Sequence, residues 1–169
     1  ICTAIWYDCL CKIQHVIKLP LCLIVRSCFD VFFVLYTSKT CPTGWNKFSC
    51  SCYFLSTKSG SWDEGRKDCI TRGADLVVIN DKEEQVLCFA NEAAWIGLID
   101  KETEGSWKWV DGTSMTLSFW VDNQPDNGGK DYGAKEEDCA HIRTGEGWND
   151  LPCSYLLNWI CEKANHFTV

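Results

Sequence analysis

The stretch VDNQPDNGGKDYGAKEEDCAHIRTGEGWND, residues 121–150, decides how the chain is read. Residues 121–138 are crowded with Gly, Asn and Asp and lack apolar periodicity. They read as a long loop, and loops of this length without structure of their own are usually functional or disordered. Oxygen-bearing side chains fall in three knots: Gln124-Pro125-Asp126-Asn127, Glu137-Asp138 and, after Trp148, Asn149-Asp150. Asp100 and Glu104 stand in the loop before them. Taken singly, such residues are turn formers facing water. Taken together they supply what a hard cation needs, since calcium takes six to eight oxygens from carboxylates, amides and backbone carbonyls. A Pro between two ligands fixes a turn, and a cis bond there would aim both side chains at one point. His15, His141 and His166 are scattered, so no thiolate–imidazole set stands at zinc spacing.

Around this stretch lie the signals of an α+β domain. Upstream, Trp95-Ile-Gly-Leu98 opens a run of short strands that includes Ser106–Asp111, Cys139–Arg143 and Asn158–Lys163. Further back, Ser61-Trp-Asp-Glu64 reads as a capping box, in which the Ser hydroxyl satisfies a free helix N–H and Glu64 reaches back. The helix it opens stops at Gly73. Leu76-Val-Val-Ile79 reads as a short buried strand, and Asp81-Lys-Glu-Glu84 as a second capping box opening a helix through about Ala90. Cys41-Pro-Thr-Gly-Trp45 and the run Cys50–Leu55 carry aromatic and apolar residues suited to a strand pair.

Composition narrows the function. The chain has 169 residues, room for one domain and an appendage. Acidic residues outnumber basic ones 23 to 16, which argues against a nucleic-acid partner and suits a cation-binding surface. Thirteen Cys place it where disulfides persist, in a secreted or cell-surface protein. Composition shifts near residue 40. Residues 1–40 hold five Cys and no Gly, whereas residues 41–169 hold all 12 Gly. Leu19–Tyr36 is apolar and just long enough to span a bilayer, but Arg26 and Asp30 interrupt it at roughly 2.5–3.5 kcal/mol each near the centre. Lys12, Lys18 and Arg26 would place the N-terminal side inside. The segment reads as a degraded membrane anchor or as non-native sequence. The chain opens on Ile rather than Met and is read as a fragment, so signal-peptide reasoning is not applied.

The order and spacing of Trp62–Cys69, WIGL at 95–98, WKWVDG at 107–112, QPD at 124–126, EDC at 137–139, WND at 148–150 and Trp159-Ile-Cys161-Glu162 resemble the C-type lectin family over essentially all of residues 41–169. The resemblance implies a C-type lectin-like double-loop fold, with two helices flanking antiparallel sheets. It makes residues 41–169 a carbohydrate-recognition domain. By position it assigns Gln124, Asp126, Glu137, Asn149 and Asp150 to a primary calcium and sugar site, and Asp100, Glu104, Asn127 and Asp138 to an auxiliary calcium site.

The implied activity is calcium-dependent sugar binding, in which two neighbouring hydroxyls join the ion's coordination shell. Each hydroxyl also donates to a carboxylate and accepts from an amide of the residues holding the metal. The Gln124-Pro125-Asp126 order is associated in the family with galactose and N-acetylgalactosamine rather than mannose. His141 matches a position that touches the acetamido group in some relatives; as a residue of a strand it reads equally as a histidine facing solvent or a neighbour. Galactose-binding relatives usually place a Trp where this chain has Gly128, an aromatic platform contributing about 0.5–1.5 kcal/mol. Tyr132, in the same loop, is the candidate substitute. We therefore expect weak galactose binding.

Eight Cys in residues 41–169 leave the pairing open on arithmetic alone. The resemblance selects Cys41–Cys52, Cys69–Cys161 and Cys139–Cys153, leaving Cys50 and Cys88 to pair together, stay free or bridge to another molecule. It also implies an extracellular place, either secreted or as the ectodomain of a type II membrane protein. Clustering of weak sites makes a homo-oligomer the expected form. Two other classes compete. One is a protein-recognition receptor domain on the same scaffold, with an ice-binding variant. The other is a hydrolase using paired carboxylates such as Asp126 and Glu137, against which stands the lack of a nucleophile–base pair.

Overall fold

The computed structural model describes residues 40–49, 51–88, 92–128, 136–144 and 147–164. Eight strands run in the order β1 (Asn46–Phe48), β2 (Ser51–Leu55), β3 (Asp75–Leu76), β4 (Ala94–Ile99), β5 (Lys108–Trp109), β6 (Cys139–Arg143), β7 (Gly147–Leu151) and β8 (Asn158–Ala164). Two helices, α1 (Trp62–Thr71) and α2 (Lys82–Cys88), flank β3 in sequence. The spatial order is β1-β2-β8-β4-β6-β7, with β3 on β8 and β5 on β4. Pairing is antiparallel except between β4 and β8, where Trp95 stands opposite Trp159 in parallel.

The Ser61 capping box forms as expected. Ser61 Oγ accepts from the Glu64 N–H at 3.3 Å, and Glu64 Oε2 accepts from the Ser61 N–H at 2.8 Å. A cap of this kind is worth about 1 kcal/mol. Trp62, Gly65 and Cys69 form the buried face of α1, at the three- and four-residue spacing of an amphipathic helix. Indole N–H groups finish the packing: Trp62 Nε1 donates to the Ile96 carbonyl at 2.8 Å, and Trp95 Nε1 to that of Gly60 at 3.0 Å. Buried indoles usually find such partners; Trp107 Nε1 is buried without one.

The second cap differs from its expectation. Glu84 N–H does donate to Asp81 Oδ1 at 2.7 Å, but the Glu84 carboxylate accepts from Asn80, one residue further back, at 2.8 Å. It also accepts from the Tyr53 hydroxyl, which ties α2 to β2. Ala90 lies outside the described residues. The strand expected at 76–79 pairs regularly only over Asp75–Leu76. Beyond it the backbone is shared between neighbours: Val77 donates to Ile160 O at 3.0 Å and accepts from Gly97 N at 2.9 Å. Of Ser106–Asp111, only Lys108–Trp109 pairs as strand. One strand went unexpected, Gly147–Leu151, which carries two of the sequence-assigned metal ligands.

Among the described residues, three disulfides join Cys41 to Cys52, Cys69 to Cys161 and Cys139 to Cys153, with Cα separations of 5.6, 5.3 and 5.1 Å. These lie in the ordinary range for unforced bridges. The first ties the chain before β1 to β2, the second ties α1 to β8, and the third closes a 14-residue separation around β7. The fold of the described residues is thus α+β, with two helices, a mixed sheet and three covalent ties. Cys50 and the side chain of Cys88 lie outside the described residues, as does the apolar segment 19–36. Among the described residues no helix is long and apolar enough to cross a membrane.

Candidate functional site

Strand β7 is the base on which the site is built. It pairs with β6 in the register Ala140↔Asp150, His141↔Asn149 and Ile142↔Trp148. Strand side chains alternate in direction, so Trp148 and Asp150 share one face and Asn149 takes the other. Trp148 is completely buried, edge-on to Trp109, Phe119 and Trp120. Its backbone clamps the incoming loop: Trp148 N–H donates to Phe119 O at 2.7 Å, and Val121 N–H donates to Trp148 O at 2.9 Å. Its indole N–H donates to Gln85 Oε1 of α2 at 2.7 Å.

Two residues along, Asp150 holds the turn that follows. Its carboxylate accepts from the backbone N–H groups of Asp126 at 3.2 Å and Asn127 at 2.8 Å. Asn127 adopts φ 48°, a left-handed conformation that Asn tolerates better than most residues. Its Oδ1 accepts from Glu137 N–H at 2.8 Å, tying the turn at 126–128 to the chain that leads into β6. The Gln124–Pro125 bond is cis. Asp126 Oδ1 accepts from Gly128 N–H at 3.1 Å, and Asn149 Nδ2 donates to the carbonyl of Asp150.

These contacts gather carboxylates into two groups. Oxygens of Asp126, Glu137 and Asp150 lie within 4.8 Å of one another, and so do those of Asp100, Glu104 and Asp138. In the second group Asp100 accepts from Gly105 N–H at 2.8 Å, and its own N–H donates to Asp138 O at 3.2 Å. Two unit charges at about 5 Å repel by roughly 3 kcal/mol at an effective dielectric of about 20. The carboxyls respond accordingly. Burial pushes Asp150 and Glu137 above the ordinary range, and their acidic neighbours push the same way. Asp100 and Glu104 rise for the same two reasons. Gathered carboxylates of this kind call for a proton or a cation.

Each group also carries an oxygen without a partner. Asp100 Oδ1 in one, and Gln124 Oε1 in the turn that bears Asp126, are buried and accept no hydrogen bond. Buried polar atoms are otherwise almost always paired. The two donor sets contain only oxygen, which is the chemistry of a hard cation such as calcium. Of the residues assigned from the sequence, the structure therefore brings Asp126, Glu137 and Asp150 together, and Asp100, Glu104 and Asp138 together. Asn127 bridges Asp150 to Glu137.

Of the two remaining assigned residues, one is described and falls elsewhere. His141 is only 6% exposed, with its ring edge-on to Trp95 at 5.9 Å. Its Nδ1–H donates to Ile142 O at 3.0 Å, since a carbonyl can only accept. Burial lowers its pKa to about 4, which keeps the ring neutral. This placement favours a packing role over contact with a sugar. Tyr132 lies outside the described residues. Sequence reasoning missed Gly147, whose φ of 136° lets β7 pass directly beneath Phe119. A lone Gly beside an apolar strand residue was the available signal, because it often marks close backbone approach.

The fold and these oxygen groups define a lectin-like binding domain, and comparison with known proteins agrees. Residues 58–163 match the family model for the Lectin C-type domain, and the chain belongs to that family. Its members are binding proteins rather than enzymes. Among curated relatives, the chain is 38% identical over 159 residues to Asialoglycoprotein receptor 2 of Rattus norvegicus, covering 91% of this chain and 52% of the receptor. The chain thus spans about half the length of that relative. Among solved structures it is similar to the carbohydrate-recognition domain of the mouse scavenger receptor C-type lectin. The TM-score is 0.70 and the identity 37%, covering 75% of this chain and all of the other. It is also similar to a calcium-independent type II antifreeze protein, with TM-score 0.63 and 27% identity, covering 74% of this chain and 95% of that one.

Proposed function

We propose that residues 41–169 form a carbohydrate-recognition domain that binds sugar in a calcium-dependent manner, with a preference for galactose and N-acetylgalactosamine. The observation carrying this reading is the Asp126–Glu137–Asp150 group, with the buried, unpartnered Gln124 Oε1 beside it. Gln124, Asp126, Glu137, Asn149 and Asp150 are the primary ligands in this reading. Asp100, Glu104, Asn127 and Asp138 hold the auxiliary ion. Calcium bound at the primary group supplies coordination positions for two neighbouring sugar hydroxyls. The protein's part is to orient those hydroxyls: carboxylates of Asp126 and Glu137 accept hydrogen bonds from them, and the amides of Gln124 and Asn149 donate hydrogen bonds to their oxygens. The amide-then-acid order across Pro125 selects the galactose arrangement.

The likeness to a receptor whose name refers to asialoglycoproteins supports the same direction. Calcium affinity belongs to the weak extracellular class, about 10⁻⁴–10⁻³ M, which fits a domain outside the cell, either secreted or on a type II membrane protein. A shallow monovalent site gains useful strength from a homo-oligomer. A second reading, recognition of a protein or of ice without calcium, is favoured by the similarity to the calcium-independent antifreeze protein and by Gly128 where an aromatic platform is expected. A glycan array probed with the full chain, with calcium or with chelator, separates the two. Chelator-sensitive binding in which galactose competes better than mannose supports the first; chelator-insensitive binding, or mannose winning, overturns it.

A further inference from the structure

We infer that Gln85 is a positioning residue for the Asp126–Glu137–Asp150 group, acting through the indole of Trp148; this rests on the reading that the group holds calcium. Gln85 sits on α2, an element that contributes no ligand in that reading. Its Oε1 accepts from Trp148 Nε1 at 2.7 Å, in a partly buried setting. Trp148 is held there by ring contacts with Trp109, Phe119 and Trp120. Those contacts bury the ring completely, so its N–H depends on Gln85 for a partner. The Trp148 backbone grips both Phe119 and Val121, three residues ahead of Gln124. On the same face of β7, Asp150 grips Asp126 and Asn127. One strand therefore holds the turn at two points, and Gln85 fixes the ring that sets the height of the first. The first turn of α2, directly before Gln85, is itself anchored, because Glu84 accepts from Asn80 N–H and from the Tyr53 hydroxyl.

Loss of the amide leaves a buried indole N–H without a partner, which costs on the order of one decade in an equilibrium constant. The test is calorimetric titration of the full chain with calcium alone, alongside the thermal midpoint at saturating calcium. Gln85→Met is expected to weaken calcium binding about tenfold. Gln85→Glu keeps an acceptor at the same place and is expected to stay within about threefold of the parent. Trp148→Phe removes the donor from the other side. It should reproduce the loss, and Gln85→Met added to it should do nothing more. Calcium affinity unchanged in Gln85→Met, with only the thermal midpoint lowered, overturns the inference. So does equal weakening in the Met and Glu variants, or an undiminished Gln85→Met effect in the Trp148→Phe background. Absence of saturable calcium binding by the parent chain removes the proposed function together with this inference. Binding by the parent with an unaffected Gln85→Met variant removes this inference alone.

Discussion

A Cβ on Gly147 would lie 2.3 Å from the carbonyl oxygen of Phe119. That contact is with backbone, which cannot swing aside as a side chain would, and the Gly147 φ of 136° is itself strained for any L-residue. Gly147→Ala should therefore cost roughly 2–4 kcal/mol and lower the thermal midpoint by on the order of 10 °C. It should also lift residues 119–121 from β7 and weaken calcium binding. A midpoint within about 2 °C of the parent would contradict the close approach.

The gathered carboxyls set the pH dependence of calcium stabilisation. Asp100, Glu104, Glu137 and Asp150 have folded-state pKa values raised above their ordinary ones. In the metal-free domain their contribution to stability is present below the ordinary carboxylate pKa and is lost as pH rises through the raised values. Calcium relieves that repulsion and competes with protons for the same oxygens. The rise in thermal midpoint on adding calcium should be large at pH 7 and much smaller at pH 5. An increment equal at the two pH values would rule out these carboxyls as ligands.

His141 works in the opposite sense. Its folded pKa of about 4 lies below the ordinary value for imidazole, so its contribution is complete above about pH 6.5 and drains away as pH falls toward 4. The full loss is on the order of 3 kcal/mol. His141→Phe should flatten the chelated domain's stability between pH 6.5 and 4 relative to the parent, measured by urea unfolding. Parallel curves for the two proteins would count against the buried neutral ring.

Two disulfides should separate stability from site geometry. Cys69–Cys161 spans 92 residues and Cys139–Cys153 spans 14. Chain-entropy reasoning gives about 4–5 kcal/mol for the first and about 3 kcal/mol for the second. Paired Ala replacement at 69 and 161 should lower stability more, yet leave calcium affinity of the folded fraction near that of the parent. The same change at 139 and 153 frees the ends of β6 and β7 and should weaken calcium binding at least about tenfold. Reversal of that ranking in calorimetric titrations would refute the assignment.

Gly128 has a φ of 76°, where a side chain costs roughly 1–2 kcal/mol. Stacking by a restored tryptophan returns about 0.5–1.5 kcal/mol. The two nearly cancel, so Gly128→Trp should change galactose affinity less than about fivefold in a competition assay. A gain of a hundredfold would mean that the turn relaxes freely.

Much of this architecture was legible before any coordinates. Ser61 and Glu64 announced α1 through local hydrogen bonding, and the strands 94–99, 139–143 and 158–164 announced themselves through apolar and β-branched residues. What escaped were features fixed by distant partners. Gly147-Trp148-Asn149-Asp150 reads as turn chemistry because Gly, Asn and Asp are poor strand formers, and only pairing with Cys139–Arg143 makes it β7. Glu84 turned toward Asn80 and Tyr53 for partners in the folded core. His141 gave no sign of its burial, since a single His in a strand is compatible with either face. The acidic residues of the site were legible as chemistry from their types, whereas their division into two groups came from the family resemblance and not from their spacing, because it depends on the path of the loop.

The strand order β1-β2-β8-β4-β6-β7 has a mechanical consequence. Ser51 of β2 lies opposite Ala164 of β8, next to the β1 edge of the sheet, while Asn149 and Asp150 ride on β7 at the other edge. Tension applied at Ser51 and Ala164 peels β8 from β2 one rung at a time, and the peeling halts at Cys161, which is bolted to Cys69. Cys41–Cys52 blocks the same unzipping from the entry side. Such a pull is thus spent at the fastened β2–β8 pair, and the strand bearing Asn149 and Asp150 stays out of the load path.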